Sequence, residues 1–259
     1  MRMSEMRWPR FWTGLSIALS LALTGCVTSK KYKMAKDDAQ PAVPLNLTSA
    51  AADFEATLQT VIVYKGPGSW KREARWDEYV LQLTNHGKEV LNLETVALID
   101  LLDQPQVPGE DPWKLEKLSK SNWDKYGRTG LKLLAGAGAV TLYTAAASAT
   151  LYGAAMGGGV SVGAVVALNI IPVVAIVDIA AVAVMNHNNK KKVQEEFDRR
   201  RLRLPLRLAP GATLAGSCFF PMTPSPRRII LSGRMGTEPV EVTIDLRALS
   251  GLHLKPGTK

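Results

Sequence analysis

The stretch of 53 residues from Leu133 to Met185 constrains this chain more than any other feature of its sequence. It carries a single side chain that is charged at neutral pH, Asp178, whereas the flanking sequence is polar and rich in strand-like alternation. A helix that spans a membrane needs about 20 apolar residues. Residues 133–156 and 160–185 both exceed that length, and three glycines separate them. The stretch therefore predicts a hairpin of two long Gly/Ala-rich hydrophobic helices.

Small residues recur at four-residue spacing along this stretch, which places them on one helical face where two backbones can approach closely. The predicted helix-packing residues are Gly153, Gly157, Gly159 and Gly163. The stretch resembles the glycine-zipper segments of some bacterial envelope lipoproteins. A hairpin buried in a soluble core is the alternative, although neither predicted helix has the polar face that a core helix normally keeps.

Two polar residues lie within the second predicted helix. A carboxylate inside a membrane is costly unless it is paired or hydrated, so Asp178 with Asn169 is predicted as an intramembrane polar site. A locally hydrogen-bonded aspartate near the end of the helix is the alternative interpretation.

The N-terminus has the layout of a secretory signal. Three arginines within residues 1–10 precede the short apolar run of residues 11–23, which predicts a signal peptide over residues 1–25. The run ends in Leu23-Thr24-Gly25-Cys26, which resembles the lipobox of bacterial lipoproteins. The resemblance implies cleavage between Gly25 and Cys26 and acylation of Cys26 by membrane-derived chains such as palmitate. Because Val27 and not Asp follows the cysteine, it also implies export to the outer membrane, with the globular part in the periplasm. An uncleaved signal anchor is the alternative.

The net charge of +9 favours an anionic lipid partner over nucleic acid, because the Lys and Arg residues cluster beside hydrophobic segments. We therefore expect contact with membrane lipid through acylated Cys26 and the hydrophobic hairpin, and no nucleic-acid partner. A second copy of the chain or another envelope protein is the expected protein partner.

Alternating residues predict β-strands on both sides of the apolar stretch. Residues 26–53 are polar and predict a lipidated flexible tether, and structure is expected to begin near Phe54. Strands at Tyr79–Thr84 and after residue 89 flank Asn85-His86-Gly87-Lys88, which predicts a tight β-hairpin. The predicted strands number seven, as in an immunoglobulin-like β-sandwich. The predicted fold is thus mainly β, one sandwich made of residues 54–102 and 202–254 and split by an inserted helical hairpin; two separate small β domains are the alternative.

The predicted insertion covers residues 103–201, and residues 255–259 form a tail. Within it, aromatic residues alternate with lysines over residues 113–128, which suits either a membrane interface or a surface helix packed by Leu115, Leu118 and Trp123. Residues 186–201 predict a basic helical extension with ion pairs at helical spacing, Glu195 with Arg199 and Glu196 with Arg200.

The sequence shows no constellation that predicts catalysis. His86, His187 and His253 are isolated from other metal-ligand residues, so no metal, cofactor or catalytic residue is predicted, and Cys218 is expected to be a small buried apolar residue. The predicted function is a non-enzymatic envelope lipoprotein, an immunoglobulin-like binding or scaffold module with a membrane-inserting or oligomerising helical hairpin. A membrane-active or pore-forming protein built from associated hairpins is the alternative.

Overall fold

The computed structural model describes residues 33–34, 41–72, 74–140 and 189–257. Antiparallel strands dominate these residues, together with two α-helices and a 3-10 turn at Arg247–Leu249. The helices are α1 (Pro112–Arg128) and α2 (Asn189–Arg200). The strands are β1 (Lys33–Met34), β2 (Leu47–Ala51), β3 (Phe54–Ile62), β4 (Lys71–Arg72), β5 (Trp76–Asn85), β6 (Leu91–Ile99), β7 (Pro105–Gln106), β8 (Leu206–Leu208), β9 (Thr213–Pro221), β10 (Arg228–Met235) and β11 (Glu238–Asp245).

The main strands form two antiparallel sheets. The first sheet has the order β2-β3-β5-β9, and the second has the order β11-β10-β6-β7, with β8 also paired to β6. Both sheets combine strands from the two sides of residues 107–205. The strands β3-β5-β9 of the first sheet face the strands β11-β10-β6 of the second sheet, and this arrangement is compatible with an immunoglobulin-like sandwich.

The core lies between the two sheets, because alternate side chains of each strand point toward the opposite sheet. The first sheet contributes Phe54, Leu58, Tyr79, Leu81 and Phe220, and the second contributes Leu93, Leu98, Leu231, Val242 and Ile244, all almost fully buried. Cys218 is buried among them, which confirms its predicted role as a small core residue.

The last two strands of the chain form a hairpin at the edge of the second sheet. Strands β10 and β11 pair from Arg228 with Asp245 to Met235 with Glu238, and the turn between them contains Gly236 with a φ of 58°. Strand β11 is an edge strand in which Val240, Val242 and Ile244 are buried and the alternate residues are exposed.

The hairpin predicted at Asn85–Lys88 is wrong, because the strands on either side of it do not pair. Strand β5 pairs with β3 and β9, whereas β6 lies in the other sheet, so the turn is a corner between the sheets. The two-residue Asn-Gly hairpin turn needs positive φ angles, and no residue from Asn85 to Lys88 has one. Asn85 instead fixes the corner by donating hydrogen bonds to the carbonyls of Glu89 and Leu208, at 2.8 and 3.0 Å.

The outer face of the first sheet is covered by the two helices. Helix α1 begins after Asp111, whose carboxylate accepts the backbone N–H groups of Trp113 and Lys114, and Pro112 occupies the first helical position. Its buried side chains include Leu115 and Tyr126, recur every three or four residues and face the sheet.

The residues expected to pack this helix differ in part from those that do. Leu115 is buried, but Trp123 is only half-buried and Leu118 is 52% exposed. In α2 the ion pair between Glu196 and Arg200 is confirmed, whereas Glu195 pairs with Lys191.

The fold prediction of an inserted long helical hairpin is wrong: the structure is mostly β, and no Gly/Ala-rich helix occurs among the described residues. The first long helix was expected to begin at Leu133, yet residues 133–140 form bends and a turn, with φ angles of 104° at Gly136 and 61° at Gly138. Leu133 forms a β-bridge with Leu254, and Val140 is buried in the main core.

Close backbone contact explains why this segment is not helical. A Cβ on Gly138 would lie 2.7 Å from backbone atoms of Gly251, His253 and Leu254, so glycine here permits two backbones to touch. The remainder of both predicted helices, residues 141–156 and 160–185, lies outside the described residues. Neither α1 nor α2 is long and apolar enough to cross a membrane.

The tether predicted for residues 26–53 contains ordered strands. Strand β1 pairs with β4, with Lys33 opposite Arg72 and Met34 opposite Lys71. Strand β2 joins the edge of the first sheet through β3. Among the described residues, strands β1 and β2 therefore both precede Phe54.

Candidate functional site

All the residues that the sequence predicted as sites lie outside the described part of the chain. These are Gly25, Cys26, Gly153, Gly157, Gly159, Gly163, Asn169 and Asp178. His187, for which no role was predicted, also lies outside it. His86 and His253 are described, and each contacts one carboxylate in a different part of the fold. His86 is largely exposed, with Nε2 3.3 Å from Glu55 Oε2, as expected of a residue in a surface turn.

A second core lies between the first sheet and the helices and is mainly aromatic. Trp76 of β5 packs edge-on against Phe219 of β9 and Phe197 of α2, with ring centroids 5.1 and 5.6 Å apart. Phe197 also stacks on Phe219 at 4.1 Å. Leu115 of α1 belongs to the same cluster. These contacts hold both helices on the sheet and bury the charged groups beneath them.

Glu78 is the central charged residue under the helices and is completely buried. Its Oε2 accepts the indole N–H of Trp70 at 2.5 Å, and its Oε1 accepts the Ser217 hydroxyl at 2.7 Å. Arg200 of α2 lies 3.4 Å from the same Oε1. A buried carboxylate needs such donors, and both oxygens of Glu78 are engaged by them. The arrangement suits a structural tie between sheet and helix.

Lys71 lies beside Glu78 and is 2% exposed. Its ammonium stands 4.0 Å from the centre of the Trp76 ring, a cation–π contact, and burial lowers the pKa of Lys71 to about 8. Glu116 of α1 is also buried and accepts the backbone N–H of Arg75 at 2.8 Å. A lysine with a lowered pKa is a better nucleophile than an ordinary one, but the burial of Lys71 keeps substrates from its amine.

A groove of about 300 Å³ opens beside this network, between α2 and the outer face of the first sheet. Its polar lining includes Gln59, Glu78, Arg199, Arg200 and Ser217. Such a volume suits a small ligand or the end of a side chain.

The polar groups of the groove are tied to one another. Both arginines bind Glu196; burial alone would raise the pKa of Glu196, but the hydrogen bonds from Arg199 and Arg200 outweigh it and lower the pKa. Gln59 donates to the Gln82 side chain at 2.7 Å. The side chains of Gln59, Glu78, Arg199, Arg200 and Ser217 in the groove are therefore all engaged in hydrogen bonds or ion pairs within the protein.

A second buried pair joins the C-terminal segment to β5. His253 Nε2 lies 2.7 Å from Asp77 Oδ2, and both side chains are almost completely buried. The backbone carbonyl of His253 accepts the N–H of Leu134 at 2.8 Å. The Asp77–His253 pair therefore fixes the position of the C-terminal segment, and the beginning of the apolar stretch is hydrogen-bonded to that segment.

Sequence reasoning missed Lys71, Asp77, Glu78 and Glu116 because none belongs to a local motif. Two of the three partners of Glu78 named above lie 122 and 139 positions away, and Asp77 is 176 positions from His253. For Asp77 and Glu78, the available signal was a pair of acidic residues between apolar residues at the beginning of β5. Within the described ranges, no group of three or more His, Cys, Asp or Glu residues is arranged to hold a metal ion.

Comparisons with known proteins return no relative: no family model, no curated protein and no solved structure matches this chain.

Proposed function

We propose that this protein is a lipid-anchored, non-enzymatic component of a bacterial cell envelope, and that its β-sandwich serves as a binding or scaffold module. The observation that carries the proposal is the order of a basic segment, a short apolar run and Leu23-Thr24-Gly25-Cys26. Acyl chains on Cys26 would anchor the chain, since each buried methylene contributes about 0.8 kcal/mol. Val27 after the cysteine favours the outer membrane.

The contacts of the buried charged residues support a binding role over a catalytic one. Glu78 accepts hydrogen bonds at both oxygens, and Arg199 and Arg200 share Glu196. Groups held in this way give the sheet and helices a fixed geometry. A rigid surface with a groove of about 300 Å³ is suited to holding a partner in one orientation.

Metabolic labelling with a palmitate analogue tests the anchor. Cys26→Ala should abolish labelling and leave the longer, unprocessed precursor, because both processing and acylation require the thiol. Cys218→Ala is the matched control and should keep full labelling, since Cys218 is buried in the core. Labelling of the Cys26→Ala protein at the wild-type level would show that the lipobox interpretation is wrong.

A further inference from the structure

The distance between the acylation site and the folded domain is short. Strand β1 is held by pairing with β4, and Met34 packs against the second core. Only six residues lie between Cys26 and Lys33, and the seven residue steps from one to the other can span at most about 25 Å. A domain of this size is roughly 40 Å across. The chain therefore lacks the length to let the far side of the domain face the bilayer.

The side of the domain nearest the anchor is the helical layer on the first sheet. Helix α2 packs on β1, and Val193 of α2 lies in the same cluster as Met34. The sheet formed by β10, β11 and β6 lies on the other side of the sandwich. Acylation of Cys26 thus selects which face of the protein meets the membrane.

The beginning of α2 carries charges that match an anionic bilayer. Residues 190–192 are three consecutive lysines, and the first turn contains no acidic residue. The Lys191 side chain is 78% exposed, with a weak contact of 3.7 Å to exposed Glu195, and Lys192 is half-buried. Lysines at this end do not stabilise a helix, whose N-terminus is already partly positive. Lys30 and Lys31 add charge close to the anchor in the sequence.

We propose that the surface formed by β1 and the first turns of α2 docks on the anionic phospholipid headgroups of the leaflet that holds the Cys26 acyl chains. The proposal rests on the lipid anchor proposed above. Docking fixes the orientation of the domain, so that the outer face of the second sheet points away from the membrane and stays open to other envelope components.

Fluorescence quenching by headgroup-labelled lipid measures this orientation in the full-length acylated protein. A fluorophore is attached at Glu195→Cys on α2 or, as the matched position, at Thr243→Cys on the exposed face of β11. Native Cys218 does not compete, because burial raises the pKa of its thiol to about 12. In vesicles of phosphatidylethanolamine and phosphatidylglycerol, the Glu195→Cys label should be quenched several-fold more than the Thr243→Cys label.

Charge variants test the role of the lysines. Lys191→Gln with Lys192→Gln, in the Glu195→Cys protein, should lower the ratio of docked to undocked protein by about thirtyfold, because each of the two lysines near an anionic leaflet contributes about 1 kcal/mol. Arg228→Gln with Arg234→Gln removes two exposed charges from β10 and should leave quenching unchanged.

Equal quenching of the two labels in acylated protein would overturn the docking proposal. The mass of the purified protein separates this result from failure of the anchor. If Cys26 carries no acyl chains, the proposed function as a lipid-anchored protein is wrong. Docking that depends on the short segment between Cys26 and β1 is then wrong as well.

Discussion

Glu78 is an acidic residue at a strand position that would normally face water. The two helices cover it, and its partners Trp70, Ser217 and Arg200 supply the hydrogen bonds that water would otherwise make. Removing one member of a buried charged network leaves the others without partners. The carboxylate is therefore expected to contribute strongly to stability.

Glu78→Ala should lower the free energy of unfolding by about 3 kcal/mol, the lower end of the usual range for a broken buried pair, because Arg200 keeps its contact with Glu196. Urea denaturation of the detergent-solubilised protein measures this loss. Glu55→Ala is the control: its contact with His86 is partly exposed, so the loss should be within about 0.5 kcal/mol. Equal losses in the two variants would refute the structural role of Glu78.

Individual residues of the core were predictable, whereas the buried charges were not. The alternation of apolar and polar residues is sufficient to predict that Val240, Val242 and Ile244 are buried, because the side chains of a half-buried strand repeat every two residues. The same rule places Glu78 on an outward face, and the strand alone contains nothing to show that helices from distant parts of the chain cover that face. His253 was judged isolated for the same reason, since its partner Asp77 is distant in sequence.

At the scale of elements, the sequence predicted segments better than their pairing. Turn residues at Asn85–Lys88 correctly marked a change of direction, but a turn joins paired strands only when its backbone angles allow it. The Gly/Ala-rich composition after Leu133 similarly suggested a helix, whereas contact with the C-terminal segment determines the conformation of residues 133–140. Tertiary contacts decided both cases.

Asp100, the residue directly after β6, binds two side chains of helix α1. The buried carboxylate accepts the Tyr126 hydroxyl at 2.6 Å and lies 3.3 Å from the Lys125 ammonium. Burial alone would raise the pKa of Asp100, but the hydrogen bonds from Tyr126, Gln104 and Leu102, with the charge of Lys125, outweigh it, and the pKa is lowered. The ionised form of Asp100 is thus favoured in the folded protein.

Tyr126→Phe removes the hydroxyl donor and should lower the free energy of unfolding at pH 7 by about 1.5–3 kcal/mol, as for other hydrogen bonds to charged groups. A lowered folded-state pKa gives stability that is present above the unfolded pKa of about 4 and is lost as the pH falls through the folded value. The difference between wild type and variant should therefore shrink below about pH 4. Urea denaturation at a series of pH values checks this, with Tyr64→Phe as a control lacking the carboxylate contact. A difference that stays constant with pH would argue against the Asp100 bond.

At the scale of the whole molecule, the sandwich combines distant parts of the chain. Strand β5 lies between β3 and β9, and β6 lies between β10 and the short strands β7 and β8. The C-terminal segment also holds residues 133–140 through the Leu133–Leu254 bridge. Neither part of the chain alone supplies two complete sheets to enclose a core.

This arrangement predicts that fragments 26–140 and 189–259, expressed separately, will not fold alone. The first fragment lacks β9, which pairs with β5, and β10, which pairs with β6, and the second fragment lacks β5 and β6 themselves. Each fragment therefore exposes side chains whose burial contributes about 1.5–3 kcal/mol apiece. Near-ultraviolet circular dichroism and limited proteolysis should show disorder in each fragment and a protected complex after mixing. A Leu231→Asp version of the second fragment is the matched control and should fail to form the complex, since Leu231 is fully buried. A single fragment that is folded and protease-resistant by itself would instead support two independent β domains, because only a domain with its own core resists cleavage without its partner.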